Sequence, residues 1–109
     1  MDKIHRERAK ELGLPDYKGG EQKSYVKSVF LKGYGLNTYQ ARYIGIGNLH
    51  SVLSVLRHKD KMLITDTKER VIDPLTGKFT ERPVINAWMT VEQRKDYFKR
   101  KKAQTYRRK

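Results

Sequence analysis

Apolar side chains recur with the period of a helix in the block NLHSVLSVLRH, in the middle of the chain. Leu49, Val52, Leu53 and Leu56 fall at i, i+3, i+4 and i+7, so a helix over 47–59 would pack them on a core. The opposite face has small or hydrogen-bonding side chains and no acid: Gly47, His50, Ser51, Ser54 and His58. This face could be an ordinary solvated surface, but it also suits contact with base edges in a DNA major groove.

The residues before this helix predict two further helices. The segment TYQARY, which contains Ala41, is typical of a short helix followed by a glycine turn at Gly45, the order of a helix-turn-helix. Thr38 is a suitable N-cap for the short helix and Asn48 for the longer one, because their side-chain oxygens accept bonds from free amides. Upstream, the pattern predicts a helix over 21–32 that ends at two glycines. Its buried face is expected to contain Tyr25, Val26, Val29, Phe30 and Tyr34.

Beyond residue 60 the pattern changes from helix to strand. The segments KMLITDTKERVI and KFTERPVINAWM are rich in β-branched and aromatic residues, and DPLTG between them supplies turn residues, so a β-hairpin is predicted. Pro83 cannot donate to a central ladder, so the second strand should lie at an edge or begin near this residue. Thr90 and Gln93 fit a capping box, which predicts a last helix that continues into a basic tail.

The remaining segment, at the N-terminus, predicts a short helix that ends before Pro15, with Gly19 and Gly20 as a hinge after it. The predicted class is therefore α+β: a winged helix-turn-helix, with a three-helix core and a β-hairpin wing, an N-terminal helical arm and a basic C-terminal helix and tail. The expected division is an arm over 1–19, the winged helix-turn-helix domain over 20–89 and the basic helix and tail over 90–109.

Charge favours a polyanionic partner. The chain has 25 Lys and Arg against 12 Asp and Glu, a formal charge of +13 over 109 residues. Nine basic residues and one acid lie within 94–109, so this segment alone carries +8. Cysteine is absent, which excludes disulfides and thiolate chemistry. No apolar run is long enough to span a membrane, and the charged N-terminus is unlike a signal peptide, so a cytoplasmic location and no membrane partner are expected.

Several short matches suggest a family. Gly45-Ile46 followed by LHSVLSVLR and MLIT, with Leu56-Arg57 closing the helix and Gly77-Lys78 in the hairpin, resembles the small winged helix-turn-helix proteins encoded by bacteriophages and prophages. The resemblance covers about residues 21–89. It implies binding to double-stranded DNA, with Asn48, His50, Ser51 and Ser54 facing bases and Arg42 and Arg57 touching phosphates. Regulation of transcription or replication of a mobile element, at the nucleoid of a bacterial host, is the function implied.

Basic residues of the hairpin and of the C-terminal segment are expected to neutralise DNA phosphates together with those two arginines and His58. The full expected set is Arg42, Arg57, His58, Lys68, Arg70, Lys78, Arg82, Arg94, Lys95, Lys99, Arg100, Lys101, Lys102, Arg107, Arg108 and Lys109.

Catalysis and metal binding are not expected. His50 and His58 lack acids at metal-ligand spacing, and Ser51 and Ser54 lack a nearby carboxylate to orient either histidine. Pro15-Asp16 with Asp66-Thr67-Lys68 is too weak a match to a nuclease signature to favour one. The sequence therefore predicts a protein that is not an enzyme and has no cofactor. Two alternatives stay open: an RNA-binding or ribonucleoprotein component, and a protein-interaction adaptor. A homodimer is a further candidate assembly, with the N-terminal arm as its dimer element.

Overall fold

The molecule combines helices with a small antiparallel sheet, which confirms the α+β class. A computed structural model describes residues 3–17 and 20–107, with side chains to residue 103. In chain order the elements are α1 Lys3–Glu11, α2 Gln22–Leu31, β1 Leu36–Asn37, α3 Thr38–Tyr43, α4 Leu49–His58, β2 Thr65–Glu69, β3 Val84–Trp88 and α5 Val91–Arg107. The sheet has the order β1-β3-β2, and both pairings are antiparallel.

Helix α2 forms where the apolar spacing predicted it. Tyr25, Val26, Val29 and Phe30 are buried on its inner face, as expected, but Tyr34 is exposed. The helix ends in a Schellman motif, because Gly33 has a φ of +91° and the amide of Tyr34 donates to the carbonyl of Val29 at 3.0 Å. This left-handed turn redirects the chain, and Tyr34 therefore leaves the buried face.

Helix caps were predicted correctly in two places and wrongly in one. Asn48 caps α4, since its Oδ1 accepts from the amide of Ser51 at 3.1 Å, and Thr90 and Gln93 form the predicted capping box of α5. Helix α3, however, is capped by Asn37 and not by Thr38. Asn37 and Gln40 exchange two bonds of 2.9 and 3.1 Å, so the glutamine at the third helical position selects the residue before Thr38 as the cap.

The hairpin is confirmed, with shorter strands than the sequence pattern indicates. Strand β3 begins directly after Pro83, as predicted, and it is the central strand of the sheet. Residues 61–64 do not extend β2, since the amide of Met62 donates to the carbonyl of Leu56 at the end of α4. The side chains of Met62 and Ile64 lie in the core. Beyond the paired strands, the hairpin continues as a loop with an isolated bridge between Ile72 and Phe79.

The N-terminal arm and the last helix both contribute to the single hydrophobic core of the described residues. Ala9 of α1, Tyr17 after it and Tyr97 of α5 belong to this core. Tyr17 stacks on Tyr25 with ring centroids 4.2 Å apart, and the Tyr25 hydroxyl donates to the carbonyl of Pro15 at 2.6 Å. Burial, together with the neighbouring Tyr17, raises the pKa of Tyr25 to about 12. The arm is thus packed on α2 through an aromatic pair.

Candidate nucleic-acid interface

The acid-free face of α4 points to solvent. Leu49, Leu53 and Leu56 are buried, so the helix lies with its apolar stripe on the core. The residues predicted to lie on the opposite stripe, or at its start, are all exposed: Gly47, Asn48, His50, Ser51, Ser54 and His58. The structure therefore brings the four residues expected to contact bases onto one surface.

The turn before α4 fixes the direction of this helix. Gly45 has a φ of +90°, which favours glycine, and the flanking Ile44 and Ile46 are buried. The amide of Ile46 donates to the carbonyl of Ala41 at 2.8 Å. A Cβ on Gly45 would lie 2.6 Å from the imidazole ring of His5, so α1 also packs against this turn. The glycine turn was predicted, but the close approach of His5 was not.

A shallow groove of about 300 Å³ lies between the start of α4, helix α3 and the hairpin. Four of the predicted contact residues line it, namely Arg42, Asn48, His50 and Lys68. The rest of its lining is uncharged: Thr38, Gly47, Leu49, Pro83, Val84 and Ile85. The groove is therefore bordered by two cations and by the N-terminal end of α4, whose free amides favour an anion.

Four of the arginines predicted to touch phosphates bind other groups of the protein. Arg57 contacts Asp66 at 2.6 Å and donates to the carbonyl of Ile64 at 2.8 Å, which ties α4 to β2. The other three donate to backbone carbonyls at 2.6 to 2.8 Å, Arg70 to Thr80, Arg94 to Met89 and Arg100 to Lys61. These side chains hold the hairpin and α5 in place, so a phosphate would have to compete with the bonds that they already make.

The remaining predicted cations lie on two other surfaces. Lys78 and Arg82 are exposed on the hairpin, and Lys95, Lys99, Lys101 and Lys102 are exposed on α5. Arg107 is in the last turn of α5, whereas Arg108 and Lys109 lie outside the described residues. Helix α5 packs beside the loop that follows α4, through the bond from Arg100 to Lys61, and not beside the groove at the start of α4.

The hairpin has no net charge, a feature that counting its cations alone misses. Residues 65–83 contain four basic residues and four acids, so their charges sum to zero. The acids are Asp66, Glu69, Asp73 and Glu81, and the cations are Lys68, Arg70, Lys78 and Arg82. The hairpin is therefore a weaker phosphate-binding element than its four cations suggested.

An ion cluster that sequence reasoning missed lies behind α4. Asp60 in the loop after α4 contacts Lys27 of α2 at 3.0 Å and Lys23 at 3.7 Å. Burial alone would raise the pKa of Asp60, but these lysines and Lys101 lower it below its ordinary value. The periodic pattern of α2 did not reveal this pairing, because Asp60 is more than 30 positions away in the sequence.

Neither a metal site nor a membrane span is found in the described part of the chain. No three His, Cys, Asp or Glu side chains are grouped there as metal ligands, and no helix is long and apolar enough to cross a bilayer. In comparisons with family models, curated proteins and solved structures, none matches this chain.

Proposed function

We propose that this chain is a winged helix-turn-helix protein that binds double-stranded DNA with sequence selectivity. The observation that carries the proposal is the acid-free exposed face of α4, which adjoins the groove bordered by Arg42 and Lys68. The element order α2-β1-α3-α4-β2-β3 and the sheet order β1-β3-β2 support the fold assignment. Regulation of transcription or replication of a phage or other mobile element is the biological role that we infer.

In the proposed complex, α4 enters the major groove with its first turns. His50, Ser51 and Ser54 have donors or acceptors that can bond base edges, and none of them bears a negative charge at neutral pH. The side-chain Oδ1 of Asn48 already accepts a hydrogen bond from the backbone N–H of Ser51. The side-chain NH2 of Asn48 is therefore the group left to bond a base. Arg42 and Lys68 flank the same helix end and would neutralise phosphates on either side of the groove.

Selection from a random duplex pool, followed by competition at physiological salt, tests the α4 face. We expect the triple variant His50→Glu/Ser51→Glu/Ser54→Glu to bind the selected duplex at least about 100-fold more weakly, because three carboxylates would face bases and phosphates. The matched control is Ile4→Glu/Ser24→Glu/Val91→Glu, which changes the charge equally at exposed positions away from α4.

Unchanged affinity of the α4 triple variant would contradict the proposal. An equal drop in affinity for both triple variants would show that net charge alone governs binding. Equal competition by a matched RNA duplex would favour the RNA alternative, because a deep and narrow A-form major groove does not admit a helix.

The proposed role of α5 is to add affinity without sequence information. We expect Lys99→Gln/Lys102→Gln to lower the dependence of log K on log salt concentration by up to about 0.9 for each phosphate that is no longer neutralised, while the selected sequence stays the same. Lys3→Gln/Lys10→Gln on α1 removes the same charge from exposed positions and serves as the control. Substitution is preferable to truncation at residue 90, because Tyr97 is part of the core.

A further inference from the structure

Strand β2 forms one edge of the sheet. Its inner edge pairs with β3 over residues 65–69, and no other described strand pairs with its outer edge. Thr65 is half-buried and the four residues after it are exposed. An edge strand presents backbone N–H and C=O groups that can pair with another chain unless the edge is covered or blocked by charge.

We propose that the outer edge of β2 binds the same edge of a second copy, in an antiparallel pairing centred on Thr67. In this register Asp66 of each copy lies opposite Lys68 of the other, so the two-fold symmetric contact contains two cross-strand pairs of opposite charge. A lysine on an edge strand normally disfavours pairing with another chain. Lys68 favours the pairing here, because Asp66 of the second copy lies opposite it.

The neighbouring registers are less favourable. Residues opposite each other in a two-fold antiparallel contact lie on the same face, so the contact is always centred on one residue. Centring it on Asp66 sets Asp66 opposite itself, and centring it on Lys68 sets Lys68 opposite itself, which places like charges together. In the second case Asp66 faces Arg70, but Arg70 lies beyond β2 and already donates to the carbonyl of Thr80. Charge complementarity therefore selects the register centred on Thr67 among these three.

The charge of the whole molecule also favours this edge as the place of contact. Two copies with a formal charge of +13 each repel one another in most relative orientations. Strand β2, in contrast, contains Asp66, Glu69 and one cation, Lys68, and with Arg57 bound to Asp66 the local charges sum to zero. The β2 edge itself therefore adds no net positive charge to the contact between two copies.

The pairing has a geometric consequence for α4. A two-fold axis between antiparallel neighbours in one sheet is perpendicular to the sheet, so both copies keep the same face on the same side. Asp66 lies opposite the buried Ala87 in the β2 and β3 pairing, and Arg57 of α4 reaches Asp66 on that face. The dimer would thus have a continuous sheet with both α4 helices on one side. The contact does not depend on DNA binding.

Disulfide trapping tests the register, since the chain contains no cysteine. In the proposed dimer, the Cα atoms of residue 67 in the two copies are about 4.5–5.5 Å apart, within the range of a disulfide. We expect full-length Thr67→Cys to form a covalent dimer under mild oxidation. Thr65→Cys is the matched control, because its two Cα atoms would be more than about 13 Å apart. Equal cross-linking of both variants, or none of Thr67→Cys, would overturn the proposal.

Sedimentation equilibrium of the uncross-linked protein tests the charge pairing. We expect the wild-type chain to show a concentration-dependent dimer, which Lys68→Asp weakens at least about 10-fold because Asp66 then faces a carboxylate. Lys78→Asp has the same charge change on the same hairpin, outside β2, and should alter dimerisation by no more than about twofold. A monomer at all concentrations, or equal effects of the two variants, would overturn the proposed contact, and circular dichroism confirms that both variants fold.

Discussion

Helix α4 and the hairpin over 65–83 border one groove, but the protein holds them in different ways. Helix α4 buries three leucines in the core, and its two ends are fixed by the Asn48 cap and by Arg57. The distal hairpin exposes Ile72, Leu75 and Phe79 at 53%, 70% and 63%, and its described bonds are local. The helix that is proposed to read bases is thus anchored in the core, whereas the hairpin depends on its own turn and pairing.

The two regions also differ in charge. The hairpin is neutral overall, and the exposed face of α4 has no acid in a chain of +13. Helix α5 carries the concentrated positive charge, on a surface away from the groove. In the proposed complex, α4 would therefore supply orientation and α5 electrostatic attraction, and the groove cations Arg42 and Lys68 lie beside the face proposed to read bases.

The largest expected difference between the two regions is in the stability that each loses when one of its leucines is replaced by alanine. Leu53→Ala removes a side chain that is 1% exposed, so we expect the free energy of unfolding to fall by about 2–5 kcal/mol. Leu75→Ala at the hairpin tip, where the side chain is 70% exposed, should change it by less than about 0.5 kcal/mol. Urea denaturation of both variants measures this difference. A similar loss of stability from Leu75→Ala would show that the hairpin tip packs on the body in solution.

A smaller effect is expected at the turn that directs α4. Gly45→Ala should destabilise the protein by about 1–2 kcal/mol from the left-handed backbone, and the imidazole of His5 must also move aside, which costs less than the backbone strain. Gly47→Ala is the matched comparison, because a Cβ there meets no atom within 4 Å. The double variant Gly45→Ala/His5→Ala removes the clash and keeps the backbone cost. Thermal unfolding of these variants measures both effects, and equal stability of Gly45→Ala and Gly47→Ala would contradict this account of the turn.

Local signals explain what could be predicted from the sequence. The stripe of Leu49, Leu53 and Leu56 and the Asn48 cap need only neighbours within one helix, so α4 and its exposed face were predicted correctly. The Asn37 cap was missed, although Gln40 three positions later was a visible signal for it. Here two adjacent residues could both cap a helix, and the reciprocal bond decides between them.

Tertiary contacts explain what could not be predicted. Arg57 was expected at phosphates, yet its partner Asp66 belongs to the next strand, and only the chain reversal after α4 brings the two together. The same holds for His5 at Gly45, which depends on how α1 packs. Tyr97 and Phe98 are adjacent aromatic residues, yet Tyr97 is buried and Phe98 is 53% exposed, because α5 presents only the Tyr97 side of that turn to the core.

The ion pair between Arg57 and Asp66 connects α4 to the hairpin, and it should contribute less to the free energy of unfolding than Leu53 or Gly45. We expect Arg57→Met to lower the free energy of unfolding by about 1 kcal/mol, since it removes a carbonyl bond and an ion pair in which both side chains are about one-third exposed. A double-mutant cycle with Asp66→Asn should give a coupling of about 0.5–1 kcal/mol. No measurable coupling would mean that the ion pair between Arg57 and Asp66 does not help to hold α4 against the hairpin.

The smallest expected effect is at Asp60, in the connection between α4 and the hairpin. Because Lys27 and Lys23 lower the pKa of this carboxyl in the folded state, the ionised form stabilises the fold above the unfolded value of 3.8, and this stabilisation disappears as pH falls below it. We therefore expect Asp60→Asn to be less stable than wild type by about 1 kcal/mol or less at pH 7, and the difference to shrink toward pH 3. Glu81→Gln removes the same charge at an exposed hairpin position and is the matched control. Unfolding curves from pH 7 to pH 3 separate the two variants. A difference that stays constant with pH would assign the role of Asp60 to packing and not to its charge.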